Sequence, residues 1–152
     1  MAYVASAGSP FLTAARDGDI ETLKSLLEDK TLDLEQRNQY GDTALILAAL
    51  NNQVEAVRLL LDHGAKIDAI GSFGNTALIS ASRKESAELL VERGANLKIK
   101  NKFGRTAQRQ AKHYAKTIDY PEMKEKAQFL KAAAKKAKGP SRVSRIAKKL
   151  GL

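Results

Sequence analysis

Apolar and polar positions along the middle of the chain follow a helical period. From Thr43 onward the apolar positions Ala44, Leu45, Leu47 and Ala48 are small or branched, and Val54, Val57, Leu60 and Leu61 follow at spacings of three, four and seven. Thr43 is a residue type that caps a helix N-terminus, so the first group predicts a helix opening there. Asn52 stands between the two groups and tolerates the left-handed backbone that ends one helix before the next begins, while Gly64 suits the position just past the second helix. The pattern predicts a helix–turn–helix over residues 43–65. Its second apolar stripe needs a neighbour outside the unit.

The unit recurs. Gly41-Asp42-Thr43-Ala44-Leu45-Ile46 is answered by Gly74-Asn75-Thr76-Ala77-Leu78-Ile79 and, more weakly, by Gly104-Arg105-Thr106-Ala107, at spacings of 33 and 30 residues. Leu59-Leu60-Leu61-Asp62-His63-Gly64-Ala65 is matched by Leu89-Leu90-Val91-Glu92-Arg93-Gly94-Ala95, and an imperfect earlier copy runs from Ala14-Ala15 through Gly18 to Leu26-Leu27. No single unit buries both its faces, so roughly three or more must stack to be stable. These residues resemble the ankyrin repeat, whose Gly-x-Thr-Pro-Leu-His opening and Leu-Leu-x-x-Gly-Ala ending are present with changes across roughly residues 8–131.

The resemblance implies a mostly α ankyrin-repeat solenoid: stacked helix–turn–helix units joined by short β-hairpin fingers, about four repeats including degenerate terminal caps. The units fall at about 8–40, 41–73, 74–103 and a cap at 104–131, followed by a basic extension over 132–152. Leu34, Ile67 and Leu97, seven residues before the repeat glycines, are expected to pack under the fingers. The family's proline is replaced by Ala44, Ala77 and Ala107, and its histidine by Ile46 and Ile79. The third repeat lacks three residues between Ala81 and Ala87, which predicts a shortened inner helix and the least stable unit. In the fourth unit Gln108, Arg109 and Gln110 make a polar cap, with Ala107, Ala111, Tyr114 and Ala115 keeping one apolar face. Pro121 suits the first turn of a last helix, in which Met123, Ala127, Leu130 and Ala134 share a face through Lys138, with Gly139-Pro140 ending it.

Charge changes this picture more than composition does. Residues 1–97 hold 9 Lys/Arg against 14 Asp/Glu, net −5, and residues 98–152 hold 17 against 3, net +14, which together give the overall +9. The basic C-terminal third is therefore expected to face something negative: an acidic protein first, nucleic acid or ribonucleoprotein as the alternative, an anionic membrane least of all. The chain has no cysteine, so disulfides and thiolate metal sites are excluded and a reducing compartment costs it nothing. Neither a signal peptide nor an apolar run long enough to span a membrane is legible, so the cytoplasm is the expected location, with the nucleus as the alternative.

Candidate contact residues follow from the repeat frame. An aromatic, Tyr40, Phe73 or Phe103, precedes each repeat glycine, and Arg37 with Gln39, Ile70 with Ser72, and Lys100 with Lys102 stand two and four residues before it. Two readings of the aromatics stay open: anchors for a partner, or rings packing on their own fingers. The resemblance adds Leu50 and Asn51 as variable contact positions at the end of an inner helix. Lys135, Lys136, Lys138, Arg142, Arg145, Lys148 and Lys149 are expected to touch an anionic partner, and Val143, Ile146, Ala147 and Leu150 give that tail a small amphipathic period. For the third finger, cations beside Phe103, with His113 and Tyr114 near in sequence, leave a phosphate- and base-contacting surface open as a second reading.

Catalysis finds little support. His63 and His113 are the only histidines and have no metal-ligand spacing, no phosphate-binding glycine loop or nucleophile elbow occurs, and Asp17 with Asp19 reads as helix initiation around a turn. His63, just before Gly64, is placed to meet free helix carbonyls. The expectation is a non-catalytic protein–protein interaction module without metal, cofactor or small-molecule substrate.

Overall fold

Five helix starts are set by a hydroxyl or carboxylate that accepts an orphan N–H of the first turn. Ser9 heads α1 (Pro10–Asp17), Asp19 heads α2 (Ile20–Leu27), Thr43 heads α3 (Ala44–Leu50), Thr76 heads α5 (Ala77–Ser80) and Thr106 heads α7 (Ala107–Thr117). Between them lie α4 (Val54–Asp62) and α6 (Lys84–Glu92), and α8 (Pro121–Ala137) comes last, with proline in its first turn. These elements come from a computed structural model that describes residues 8–138 together with 150 and 151.

The eight helices form four antiparallel pairs stacked in two layers. The inner layer runs α1, α3, α5, α7, each touching the next, and the outer layer runs α2, α4, α6, α8 in the same way. Small side chains let the layers close: Ala15, Ala48, Ala49, Ala56, Ala81, Ala87 and Ala111 are wholly buried among Leu23, Val57, Leu60, Leu78 and Leu90. Gly18 and Asn52 both adopt the left-handed backbone expected between paired helices, with φ of 73° and 53°. His63 Nδ1 lies 2.8 Å from the Leu59 carbonyl, as its place at the end of α4 suggested. Leu34, Ile67 and Leu97 pack against the core beneath the fingers. The fingers themselves are tighter than hairpins: among the described residues no strand occurs, and one isolated bridge joins Arg37 to Thr43.

The third unit carries the expected short inner helix, only four residues long in α5 against seven in α3. In the first two units the chain leaving the inner helix donates back to it, Asp19 N–H to Ala14 O at 3.0 Å and Gln53 N–H to Ala48 O at 2.8 Å. After α5 the Ser82 N–H turns to the neighbouring helix instead and donates to Ala49 O at 3.3 Å. The carbonyls of Ile79 and Ala81 are left facing inward. Lys126 of α8 meets both, its Nζ donating at 3.1 Å to Ile79 O and 2.5 Å to Ala81 O.

Lys126 was not expected inside. It is wholly buried on the apolar face of α8 beside Met123 and Leu130, while Ala127 and Ala134 are half-buried. That helix runs unbroken across position 131, so the array and the first residues of the basic extension share one element. Gly139 and Pro140 lie outside the described residues.

Burial pushes the Lys126 ammonium down from its ordinary 10.5 to about 7. Its pKa is then lower in the folded chain than in the unfolded one, so between about pH 7 and 10.5 the unfolded state binds more protons and stability rises with pH. Below that window both states carry the proton and the slope vanishes. Urea denaturation of the wild type and Lys126→Met across this range is expected to show the wild type gaining on the variant as pH rises. Parallel curves would contradict a buried, readily neutralised amine.

Candidate functional site

The fingers repeat one loop with one exception. In each, the opening residue donates its N–H to a carbonyl four residues on: Asn38 to Asp42, Gly71 to Asn75, Asn101 to Arg105, at 3.0, 2.8 and 3.0 Å. Asn38 and Asn101 also accept two loop N–H groups each on Oδ1, from Tyr40 and Asp42 and from Phe103 and Arg105. Gly71 has no side chain to do this. Here the preceding finger holds the loop at another point: Asp42 Oδ1 accepts the Ser72 N–H at 2.8 Å and its Oδ2 accepts the Ser72 hydroxyl at 3.1 Å, while the Asn75 N–H donates to Ser72 O at 3.0 Å. A Cβ on Gly71 would stand 2.4 Å from that carboxylate oxygen, so the close approach requires glycine.

Neighbouring fingers are tied further. Arg37 Nη1 donates to both Gly41 O and Ile70 O at 2.6 Å, and Lys102 N–H donates to Phe73 O at 2.9 Å. Phe73 holds a left-handed backbone, φ 54°, unusual for a bulky side chain. Its ring stacks on Phe103 with centroids 6.0 Å apart and planes 29° from parallel, and the Arg105 guanidinium lies 5.7 Å from the Phe103 centroid. The aromatic ladder thus joins its second and third rungs, and both rings still keep more than half their surface exposed. Tyr40, with Gln39 and Arg37, borders a separate hollow of about 230 Å³ against α1.

Beneath the second finger a groove of about 440 Å³ runs along the inner layer between α3 and α7, with the short α5 as its floor. Ile46 and Leu50 come from α3, Ile79 and Ser80 from α5, and Gln110 and Tyr114 from α7; Ile118, Tyr120 and Met123 follow that helix. Gln110, Tyr114 and Ile118 recur every fourth residue, which places them on one helical face. Leu50, Phe73, Tyr114, Ile118 and Tyr120, all large and exposed, gather on this one groove, Ile118 with 63% of its surface free.

Of the residues expected from sequence, Leu50, Ser72 and Phe73 line the groove, while Asn51 is exposed beside Leu50 and donates from its side chain to Leu47 O. Ile70, 53% exposed, and Lys100 and Lys102 stand on the second and third fingers outside the groove lining. Arg37 and Ser72 are engaged in bonds between fingers. Lys135, Lys136 and Lys138 are exposed at the end of α8, whereas Arg142, Arg145, Lys148 and Lys149, with Val143, Ile146 and Ala147, lie outside the described residues. Sequence reasoning missed Ile118 and Tyr120 altogether, and it gave Tyr114 a place on the cap's apolar face or beside Phe103 on a nucleic-acid-contacting surface, not on this groove. The fourfold spacing of Gln110, Tyr114 and Ile118 was the available signal. Among the described residues no group of His, Cys, Asp or Glu side chains is placed to hold a metal ion, and no helix is long and apolar enough to cross a membrane.

The sequence profile of ankyrin repeats, three copies, matches residues 11–115. Similar stretches occur in the palmitoyltransferase akr1 of Schizosaccharomyces pombe, 44% identical over 64 residues, which is 42% of this chain and 10% of that protein. Others occur in human transient receptor potential cation channel subfamily V member 5, 43% identical over 36% of this chain and 7% of the channel, and in human M-phase phosphoprotein 8, 38% identical over 47% and 8%. The chain thus covers at most about a tenth of each of these relatives.

The link between fingers can be tested apart from any partner. Asp42→Ala leaves the Ser72 N–H without its acceptor and is expected to destabilise the chain by about 1–3 kcal/mol in urea denaturation, with Asp42→Asn closer to wild type. Equal stability of wild type and Asp42→Ala would show that the carboxylate does not hold the second finger.

Proposed function

Because the chain belongs to the ankyrin-repeat family, a non-catalytic fold that generally serves protein–protein interaction, we propose that it is an adaptor binding a protein partner through its fingers and inner-helix surface. The gathering of five exposed apolar side chains on one groove carries this reading, because contiguous apolar surface on a folded chain marks an interaction site. Rings such as Phe73 and Tyr114 are the side chains that dominate binding energy where they fill a partner's pockets. The exposed cations of the third finger, α7 and the end of α8 extend the contact toward an acidic partner surface. The chain itself performs no chemistry in this role and works in the cytoplasm. The palmitoyl transfer and cation conduction named for its relatives belong to proteins of which it covers a small part.

A second reading, association with nucleic acid or ribonucleoprotein, draws on the same exposed cations, Lys100, Lys102, Lys135, Lys136 and Lys138 among them. Affinity capture with and without nuclease separates the two. On the protein reading the partner survives nuclease, and alanine at Tyr40 and Phe73 together weakens its binding by roughly 2 kcal/mol or more while the melting transition is kept. Unchanged affinity in that double variant would remove the finger surface from the account. Binding that is lost to nuclease and falls steeply with moderate salt would favour nucleic acid.

A further inference from the structure

We infer that the groove between α3 and α7 is an anchoring pocket for a bulky apolar side chain carried on an acidic segment of the partner. The inference rests on the protein-binding reading and deepens it. Three observations specify the occupant.

The first is size and origin. An enclosed apolar cavity of about 150 Å³ holds a benzene ring, so an open groove of about 440 Å³ accepts an indole or a branched aliphatic side chain with room for its backbone. The groove opens where α5 stops after Ser80, between the longer α3 and α7, so the missing residues of the third repeat leave the space. Ile118 and Tyr120 then wall the end beyond α7.

The second is the state of its polar atoms. Both Asp42 oxygens accept bonds from Ser72, and Gln110 Oε1 accepts from Asn101 Nδ2 at 3.4 Å and Arg105 Nη1 at 3.5 Å. Among the described residues no buried side-chain nitrogen or oxygen lacks a partner. With these polar atoms engaged, the side chains left to meet an occupant are chiefly the apolar Ile46, Leu50, Ile79, Ile118 and Met123, which favour apolar contact.

The third is the charge of the rim. Residues 98–123, which form the third finger, α7 and the end wall of the groove, contain seven Lys/Arg against two acids, Asp119 and Glu122, which are paired with Lys124 and Arg83, and residues 69–82, which form the second finger and α5, contain no charge. On α7 the exposed cations Arg109, Lys112 and Lys116 stand off the Gln110–Tyr114 face, outside the groove lining and about one helix diameter of 10–12 Å or less from it, where they act on the flanks of a bound segment. Asp42 is the one acidic side chain in the lining, already bonded at both oxygens. A segment flanked by Asp or Glu is drawn to this rim and a lysine-flanked one repelled.

The probes are three fluorescein-labelled dodecapeptides: one with a central tryptophan among Asp and Glu, its Trp→Ala counterpart, and a version with Lys in place of the acids. Fluorescence anisotropy with the full chain is expected to show binding of the first, weakened by roughly tenfold or more in each of the others. Ser80→Phe, which fills the groove, and Ile118→Asp, at an exposed position beside it, are each expected to weaken the first peptide to a similar degree while the circular dichroism melt is kept. Equal binding of the tryptophan and alanine peptides, or indifference to both variants, overturns the pocket, as does failure of the tryptophan peptide to bind. A dimer in sedimentation that Ile118→Asp disperses also overturns it, since the occupant would then be a second copy. Capture of the natural partner separates this from the broader reading. If Tyr40→Ala lowers capture and the groove variants do not, the adaptor stands and the pocket falls; if none lowers it, both fall.

Discussion

The contact of each inner helix with the next holds the molecule together. A pair such as α3 and α4 is too small to enclose its own apolar faces, so every unit depends on the one beside it. Alanine makes the contact close enough: Ala48 and Ala49 of α3 and Ala81 after α5 are wholly buried. One consequence is that damage to a unit is met by its neighbours. The third repeat lost the residues that would finish its inner helix, and help comes from both sides, from Ala49 O accepting the Ser82 N–H and from Lys126 reaching across from α8. A lysine is suited to that task because a long flexible stem delivers several donors to carbonyls at a helix end.

The same shortening shapes the working face. The fingers are fixed by bonds that pass from one repeat to the next, Arg37 to Ile70 and Asp42 to Ser72, so their aromatic tips are held in place. Below them the short α5 leaves a trough with apolar walls, beside a third finger and fourth unit rich in Lys and Arg. Apolar anchoring and electrostatic attraction thereby meet on one surface, a division of labour in which the buried contact sets affinity and the charges set orientation and rate of encounter.

Much of this was legible in the residues. The helix starts at Thr43, Thr76 and Thr106, the left-handed turns at Gly18 and Asn52, and the short third inner helix follow from local chemistry, which sequence carries directly. What escaped depends on distant partners. Lys126 looks like a surface residue of an amphipathic helix until a gap 45 residues earlier in the chain gives it carbonyls to meet. Asp42 reads as part of a repeat motif, and its bond to Ser72 becomes visible only because Gly71 leaves a vacancy beside it. The groove was hidden for the same reason. Its walls come from α3, α5, α7 and the start of α8, and although Leu50 and Tyr114 stand out singly, nothing local shows that they share one groove with Ile79, Ile118 and Met123.

The most direct test restores what the third repeat lacks. A crystal structure of the chain with three helix-forming residues inserted between Ala81 and Ser82 would show whether the shortened helix creates both the groove and the buried lysine. Three residues are nearly one turn of about 3.6. The account predicts that α5 lengthens by that turn, that the groove fills between Leu50 and Tyr114, and that Lys126 leaves the carbonyls of Ile79 and Ala81. An insertion that loops into solvent, with the groove open and Lys126 still in place, would contradict it.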